Sequence, residues 1–191
     1  MVALGTGLRC SELFALKWED VRWDELTLSV CRAIVDGTVG DVKAKYSEAG
    51  LPLDPALAEI LFNWKSKSLF GQDSDWVFAS PQMAGELPLR SGRMLARQIK
   101  PAAAAAQIAG ETGWHSFRHT YSSMLRQLGV DVKVQQEVLR HADIRTTMNV
   151  YTHAVSVQKR SAHSKVVRLV IPLDKTGENH ATGHFWTLKK A

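Results

Sequence analysis

The chain has 191 residues, enough for one domain with a sizeable core and short for two. Apolar residues make up 45% of it, with no apolar run long enough to span a bilayer and no basic, hydrophobic opening over residues 1–9; a disordered chain, a membrane-spanning helix and a signal peptide over residues 1–9 are not expected. The formal charge of +5, from 24 Lys and Arg against 19 Asp and Glu, permits a polyanionic partner without requiring one.

Taken in chain order, Gly5 and Gly7 mark a turn. Residues 10–18 (CSELFALKW) have an apolar side formed by Leu13, Phe14 and Leu16, and are expected to form a helix. Residues 26–35 (LTLSVCRAIV) alternate with period two and predict a strand, broken by Gly37 and Gly40. Residues 41–45 and 50–53 predict the two arms of a hairpin, joined by residues 46–49. The three segments would make one small antiparallel sheet on an otherwise helical domain. Cys10 and Cys31 are too few for a crosslinked framework and read as reduced, partly buried thiols of a cytosolic protein.

Residues 55–67 have helical spacing with Pro55 at the start, and residues 76–78 are a short apolar piece. Residues 89–107 suit a helix that Pro101 should end or kink. In residues 115–128 (HSFRHTYSSMLRQL), Phe117, Tyr121, Met124, Leu125 and Leu128 recur at steps of three and four, predicting a helix with that stripe in the core. Gly129 ends it. Short helices are expected over 131–139 and 145–151, and 156–167 reads as a surface helix or tail. Trp18, Trp23, Trp64, Trp76 and Trp114 read as core or edge packing. Domain organisation is expected to be one domain over 1–173 and a polar tail over 174–191.

The residues with chemical potential gather in a few places. On a helix, His115 and Arg118 share a face, so an imidazole and a cationic fork could address one phosphate. His141 and Tyr151 follow; a phenol can attack phosphorus if cations stabilise the developing charge. Arg9, in a Gly-flanked turn at a helix start, could be a second clamp. Either Lys43 or Lys45 could protonate a leaving oxygen. Taken alone, each has a blander explanation: a lone Arg or Lys is ordinarily a solvated charge, and a lone Tyr ordinarily packs its ring. His119 suits a packed or surface position. His115 and His119 are four apart, but Ser116-Phe117 between them lacks the glutamate of a zinc protease helix.

Together these residues resemble the catalytic domain of the tyrosine recombinase and phage integrase family, over roughly residues 4–154. TGLRCSELFALKWEDV matches the first arginine box, with Arg9 as the catalytic arginine and Glu12 as the supporting acid. VKAKYSEAGLPL matches the hairpin of the catalytic lysine; counting back from Leu51-Pro52-Leu53, Lys43 takes that place over Lys45. HSFRH supplies His115 and Arg118, and LRHADIRTTMNVYTH supplies His141 and the nucleophile Tyr151. Two positions depart from the pattern. Arg140 stands where the family often has glycine in a tight turn. Glu48 and Ala49 follow Ser47 where the hairpin often carries an arginine, which should weaken phosphate contacts.

The resemblance implies a mainly α fold with a small antiparallel β-sheet (α+β). It implies metal- and cofactor-independent cleavage and rejoining of double-stranded DNA through a 3′-phosphotyrosyl link, by a protein that is a monomer alone and a tetramer on paired sites. It also implies a cytoplasmic location in bacteria or phage-infected cells. The DNA-binding domain that usually precedes this one is expected to be absent. Alternatives are a DNA-binding remnant with little strand exchange, a topoisomerase-like relaxing enzyme, and a helical domain of purely structural role.

Overall fold

The computed structural model describes residues 1–42 and 50–141. Helix α1 (Val2–Thr6) ends on Gly7, whose φ of 62° is left-handed. A Cβ there would lie 2.4 Å from Tyr121 Cδ1, so the position demands glycine both for its backbone and for space. Helix α2 (Cys10–Leu13) follows. It is shorter than the expected 10–18 helix, because the next residues are claimed by a distant segment. Val77 N–H donates to Leu16 C=O at 2.9 Å and Lys17 bridges to Trp76. Extended backbone at Lys17 then starts a separate 3-10 turn, Trp18–Asp20.

Among the described residues, the strands of the predicted antiparallel sheet fall into two groups. Strands β1 (Val21–Arg22), β2 (Thr27–Leu28) and β5 (Leu51–Pro52) form one antiparallel sheet, while β3 (Arg32–Val35) and β4 (Thr38–Asp41) form a separate ribbon. The continuous 26–35 strand is interrupted where Ser29 N–H turns to Asp20 C=O, 2.8 Å away. Gly37 does not end the ribbon but makes it: Val35 pairs with Thr38, leaving Asp36 and Gly37, at φ 49° and 78°, as a two-residue turn whose positive dihedrals match the twist of the strands it joins. Arg32 ties the ribbon to the core through Asp20, with Nη2 within 2.7 Å of both carboxylate oxygens. The far hairpin arm with Lys43 and Lys45, the 145–151 and 156–167 segments and the tail from 174 lie outside the described residues.

Helix α3 (Pro55–Lys67) matches its expected bounds. Asp54 caps it by accepting from Ala56 N–H at 2.9 Å, and Pro55 occupies the first turn, where a missing N–H costs nothing. Helix α4 (Ser91–Met94) runs through a π-helical stretch, Leu95–Ile99, into α5 (Lys100–Ala105). Pro101 neither ends nor sharply breaks this run; the π turn just before it takes up the altered hydrogen bonding. Helices α6 (Trp114–Gln127) and α7 (Val132–Val138) follow.

The core joins α1 and α2 to the first sheet and α3, around Leu13, Phe14, Leu16, Trp18, Leu28 and Leu61, each 3% exposed or less. Phe14 meets Trp114 edge-on at 5.0 Å between centroids, which fixes the α2 region against the start of α6. Four tryptophan N–H groups find carbonyls: Trp18 on Phe70, Trp64 on Val77, Trp76 on Glu86 and Trp114 on Ser91. The expected core stripe of α6 is corrected. Met124 is 45% and Leu128 79% exposed, and the buried side chains of this helix are Arg118 and Ser122.

Candidate active site

Arg9 is the N-cap of α2, in extended backbone. The carboxylate of Glu12 reaches back to it twice, accepting from its backbone N–H at 3.0 Å and from Nη1 at 2.9 Å. The first of these is the glutamate half of a capping box, made from three residues into the helix; the second aims a guanidinium. The Glu12 side chain is 4% exposed and that of Arg9 39%, so the acid is structural and the arginine faces outward.

Arg118 comes from the buried side of α6. Its Nη1 donates to Gly7 C=O at 2.6 Å and its Nη2 to Leu139 C=O. One guanidinium thereby stitches the turn before Arg9 to the turn before His141. The described residues take two of its five N–H donors. Burial, reinforced by the Arg9 charge and opposed by Glu12, lowers its pKa to about 10, so it stays protonated at neutral pH.

The end of α7 explains why the third box favours glycine before its histidine. Arg140 N–H donates to Glu137 C=O and His141 N–H to Gln136 C=O. This doubly bonded helix stop places its penultimate residue in left-handed backbone. Arg140 adopts it, at φ 55°, so the substitution keeps the turn rather than displacing His141. The Arg140 side chain is buried and runs inward. Its Nη2 donates to Val30 C=O at 3.2 Å, its Nη1 lies 4.0 Å from Glu12 Oε1, and its own carbonyl accepts from Arg9 Nη2 at 3.2 Å.

His141 is 8% exposed. Burial first, then the charges of Arg118 and Arg9, lower its pKa to about 4, so its imidazole is neutral at physiological pH. His115 is exposed on the first turn of α6 and shares with Arg9, Cys10, Ser11, Phe14, Ile34 and Ser91 a cleft of about 320 Å³. His119 lies one turn on, also exposed, its ring centroid 6.4 Å from that of His115.

Of the sequence-derived residues, Arg9, Glu12, His115, Arg118 and His141 are thus gathered around the first turns of α2 and α6 and the end of α7. Lys43, Lys45 and Tyr151 lie outside the described residues. Two guanidinium groups flank one buried carboxylate and a third, that of Arg118, is held nearby on main-chain carbonyls, leaving an excess of positive charge that attracts an oxyanion. Sequence reasoning missed the inward role of Arg140, whose partners are distant along the chain, and the place of Cys10 and Ser91 in the cleft wall, which no motif signals. Among the described residues, no group of three or more His, Cys, Asp or Glu is placed to hold a metal ion, and no helix is long and apolar enough to cross a membrane.

The model of the phage integrase family matches residues 1–158. A XerC-like tyrosine recombinase of Caldanaerobacter subterraneus is 28% identical over 85% of this chain and 46% of its own length. The tyrosine recombinase XerD of Brucella abortus is 34% identical over 78% of this chain and 45% of its own. The chain spans about half the length of the curated relatives it matches. Among solved structures, the Tn1549 transposon integrase in complex with circular intermediate DNA superposes with a TM-score of 0.72 at 23% identity, over 86% of this chain and 57% of that one. The XerA recombinase does so with a TM-score of 0.60 at 21% identity, over 86% and 55%. The mainly helical fold with small antiparallel sheets is therefore that of the tyrosine recombinase catalytic domain, and the chain belongs to the phage integrase family of tyrosine recombinases.

Proposed function

We propose that this chain is the catalytic part of a site-specific DNA recombinase that cuts and rejoins duplex DNA through Tyr151. The observation that carries the reading is the joining of two arginine boxes from opposite ends of the described chain, with Arg118 bonded to the turns that present Arg9 and His141. A phosphodiester is the substrate such a constellation suits. Two guanidinium groups would bind its nonbridging oxygens and stabilise the five-coordinate transition state.

In the proposed step, the Tyr151 oxygen attacks phosphorus, its proton passing toward His115. The bond to the 5′ oxygen breaks, and Lys43 gives that oxygen a proton, leaving a 3′-phosphotyrosyl link and a free 5′-hydroxyl. A hydroxyl from a partner strand reverses the step and exchanges strands. His141, neutral at physiological pH, would hydrogen-bond to the phosphate without adding charge. Glu12 would orient Arg9. The proposed partner is double-stranded DNA, a reading supported by the Tn1549 transposon integrase having been solved with DNA, and strand exchange would need four protomers on two paired sites.

The test is cleavage of a suicide duplex by Arg9→Ala and Arg118→Ala proteins, with circular dichroism of the same samples. Loss of cleavage in both is expected. Normal cleavage by Arg118→Ala would overturn the reading.

A further inference from the structure

The carboxylate of Glu12 has two guanidinium neighbours and one hydrogen-bonded partner between them. Its Oε1 accepts from Arg9 Nη1 at 2.9 Å, and Arg140 Nη1 stands 4.0 Å from the same oxygen. Both Nη1 and Nε of Arg140 are buried without a hydrogen-bond partner among the described residues. A buried guanidinium left so is costly, and a left-handed backbone under a non-glycine side chain adds to that cost. A glycine would satisfy the turn at Arg140, whose φ is 55°, without either penalty.

We propose that Arg140 is a positioning residue that takes over Glu12 when Arg9 turns to a phosphate. This rests on the reading that Arg9 binds the scissile phosphate. Among the described residues, two of the five N–H donors of Arg9 are spent, on Glu12 and on the Arg140 carbonyl; when the phosphate is met by the Nη1 edge, the bond to Glu12 is the one released. A carboxylate 4% exposed cannot be left short of a partner without a penalty. A movement of about 1 Å brings Arg140 Nη1 into hydrogen-bond range of Oε1. The bond from Arg140 Nη2 to Val30 C=O, at 3.2 Å, holds the guanidinium nearby meanwhile. The bond from Arg9 Nη2 to Arg140 C=O keeps the two arginines in register, so the carboxylate changes partners without moving far. Arg118 takes no part in the exchange, since its described bonds go to main-chain carbonyls.

The experiment uses the full chain and inorganic sulfate as the phosphate probe, its midpoint read from the shift in melting temperature with sulfate concentration. The proteins are the unmodified chain, Arg140→Gly, Arg140→Lys, Glu12→Gln, the Glu12→Gln/Arg140→Gly double variant and Arg9→Ala. Glycine suits the dihedral of the turn, which keeps the variant foldable. Arg140→Gly is expected to weaken sulfate binding about tenfold when Glu12 is present and less than about twofold in the Glu12→Gln background, where no carboxylate needs a new partner. Arg140→Lys should recover most of the loss. A purely structural Arg140 would lower the melting temperature without sulfate and leave the sulfate midpoint where it was; that result overturns the proposal. So does equal weakening in both backgrounds, which would mean direct contact with the anion. Sulfate binding unchanged by Arg9→Ala would instead overturn the phosphate reading, and the exchange with it.

Discussion

Arg118 has two tasks at the scale of the single residue. It satisfies two main-chain carbonyls, at Gly7 and Leu139, and in the proposed function it offers cationic donors to a phosphate. Arg118→Ala should therefore cost stability as well as cleavage, about 1–3 kcal/mol for the abandoned carbonyls. Arg9→Ala should abolish cleavage and also cost stability, because it takes a partner from the 4% exposed Glu12 carboxylate; urea denaturation of the two variants reads both losses. His141 makes a pH prediction. Its folded pKa of about 4 lies below the ordinary value of about 6.5, so the unfolded chain binds the extra proton between these limits. The stability its neutral form contributes is complete above about pH 6.5 and is lost as the pH falls toward about 4. Denaturation midpoints of the unmodified protein and a His141→Gln variant, compared across this window, should converge or cross as the pH falls. A constant difference would contradict the assignment.

At the scale of the element, two glycines with similar backbone have different surroundings. Gly7 and Gly37 have φ of 62° and 78°, but a Cβ at Gly7 would strike the Tyr121 ring and one at Gly37 meets nothing within 4 Å. Gly37→Ala should thus cost only left-handed strain, about 1–2 kcal/mol. Gly7→Ala adds overpacking of about 1–3 kcal/mol and disturbs the carbonyl that Arg118 holds. Thermal denaturation should rank them so, with cleavage lost only for Gly7→Ala. Legibility also divides at this scale. Helix α3 was legible to its ends because Asp54, Pro55 and the apolar spacing agree. The Asp36-Gly37 turn is not legible, since in the sequence its glycine has the look of a breaker, whereas in a two-residue hairpin it is the connector. The buried face of α6 is not legible either, because an apolar-period count places an arginine outside, and Arg118 is inside by virtue of two carbonyl partners.

For the whole molecule, the boxes were legible because each is local: an arginine with its supporting acid, a histidine and arginine three apart, a histidine after a helix stop. What joins them was not. The bonds from Arg118 to Gly7 and Leu139, and from Arg140 to Val30, depend on how distant segments pack. The same packing concentrates positive charge around Glu12, so DNA binding should weaken steeply with added salt. The most direct measurement is covalent trapping on a library of nicked suicide duplexes. The protein would be tested with Tyr151→Phe as control and peptide mass spectrometry of the product. The account predicts a DNA-linked peptide at Tyr151 that the phenylalanine variant does not form. A folded protein that yields no adduct, or an adduct that persists in Tyr151→Phe, would contradict it.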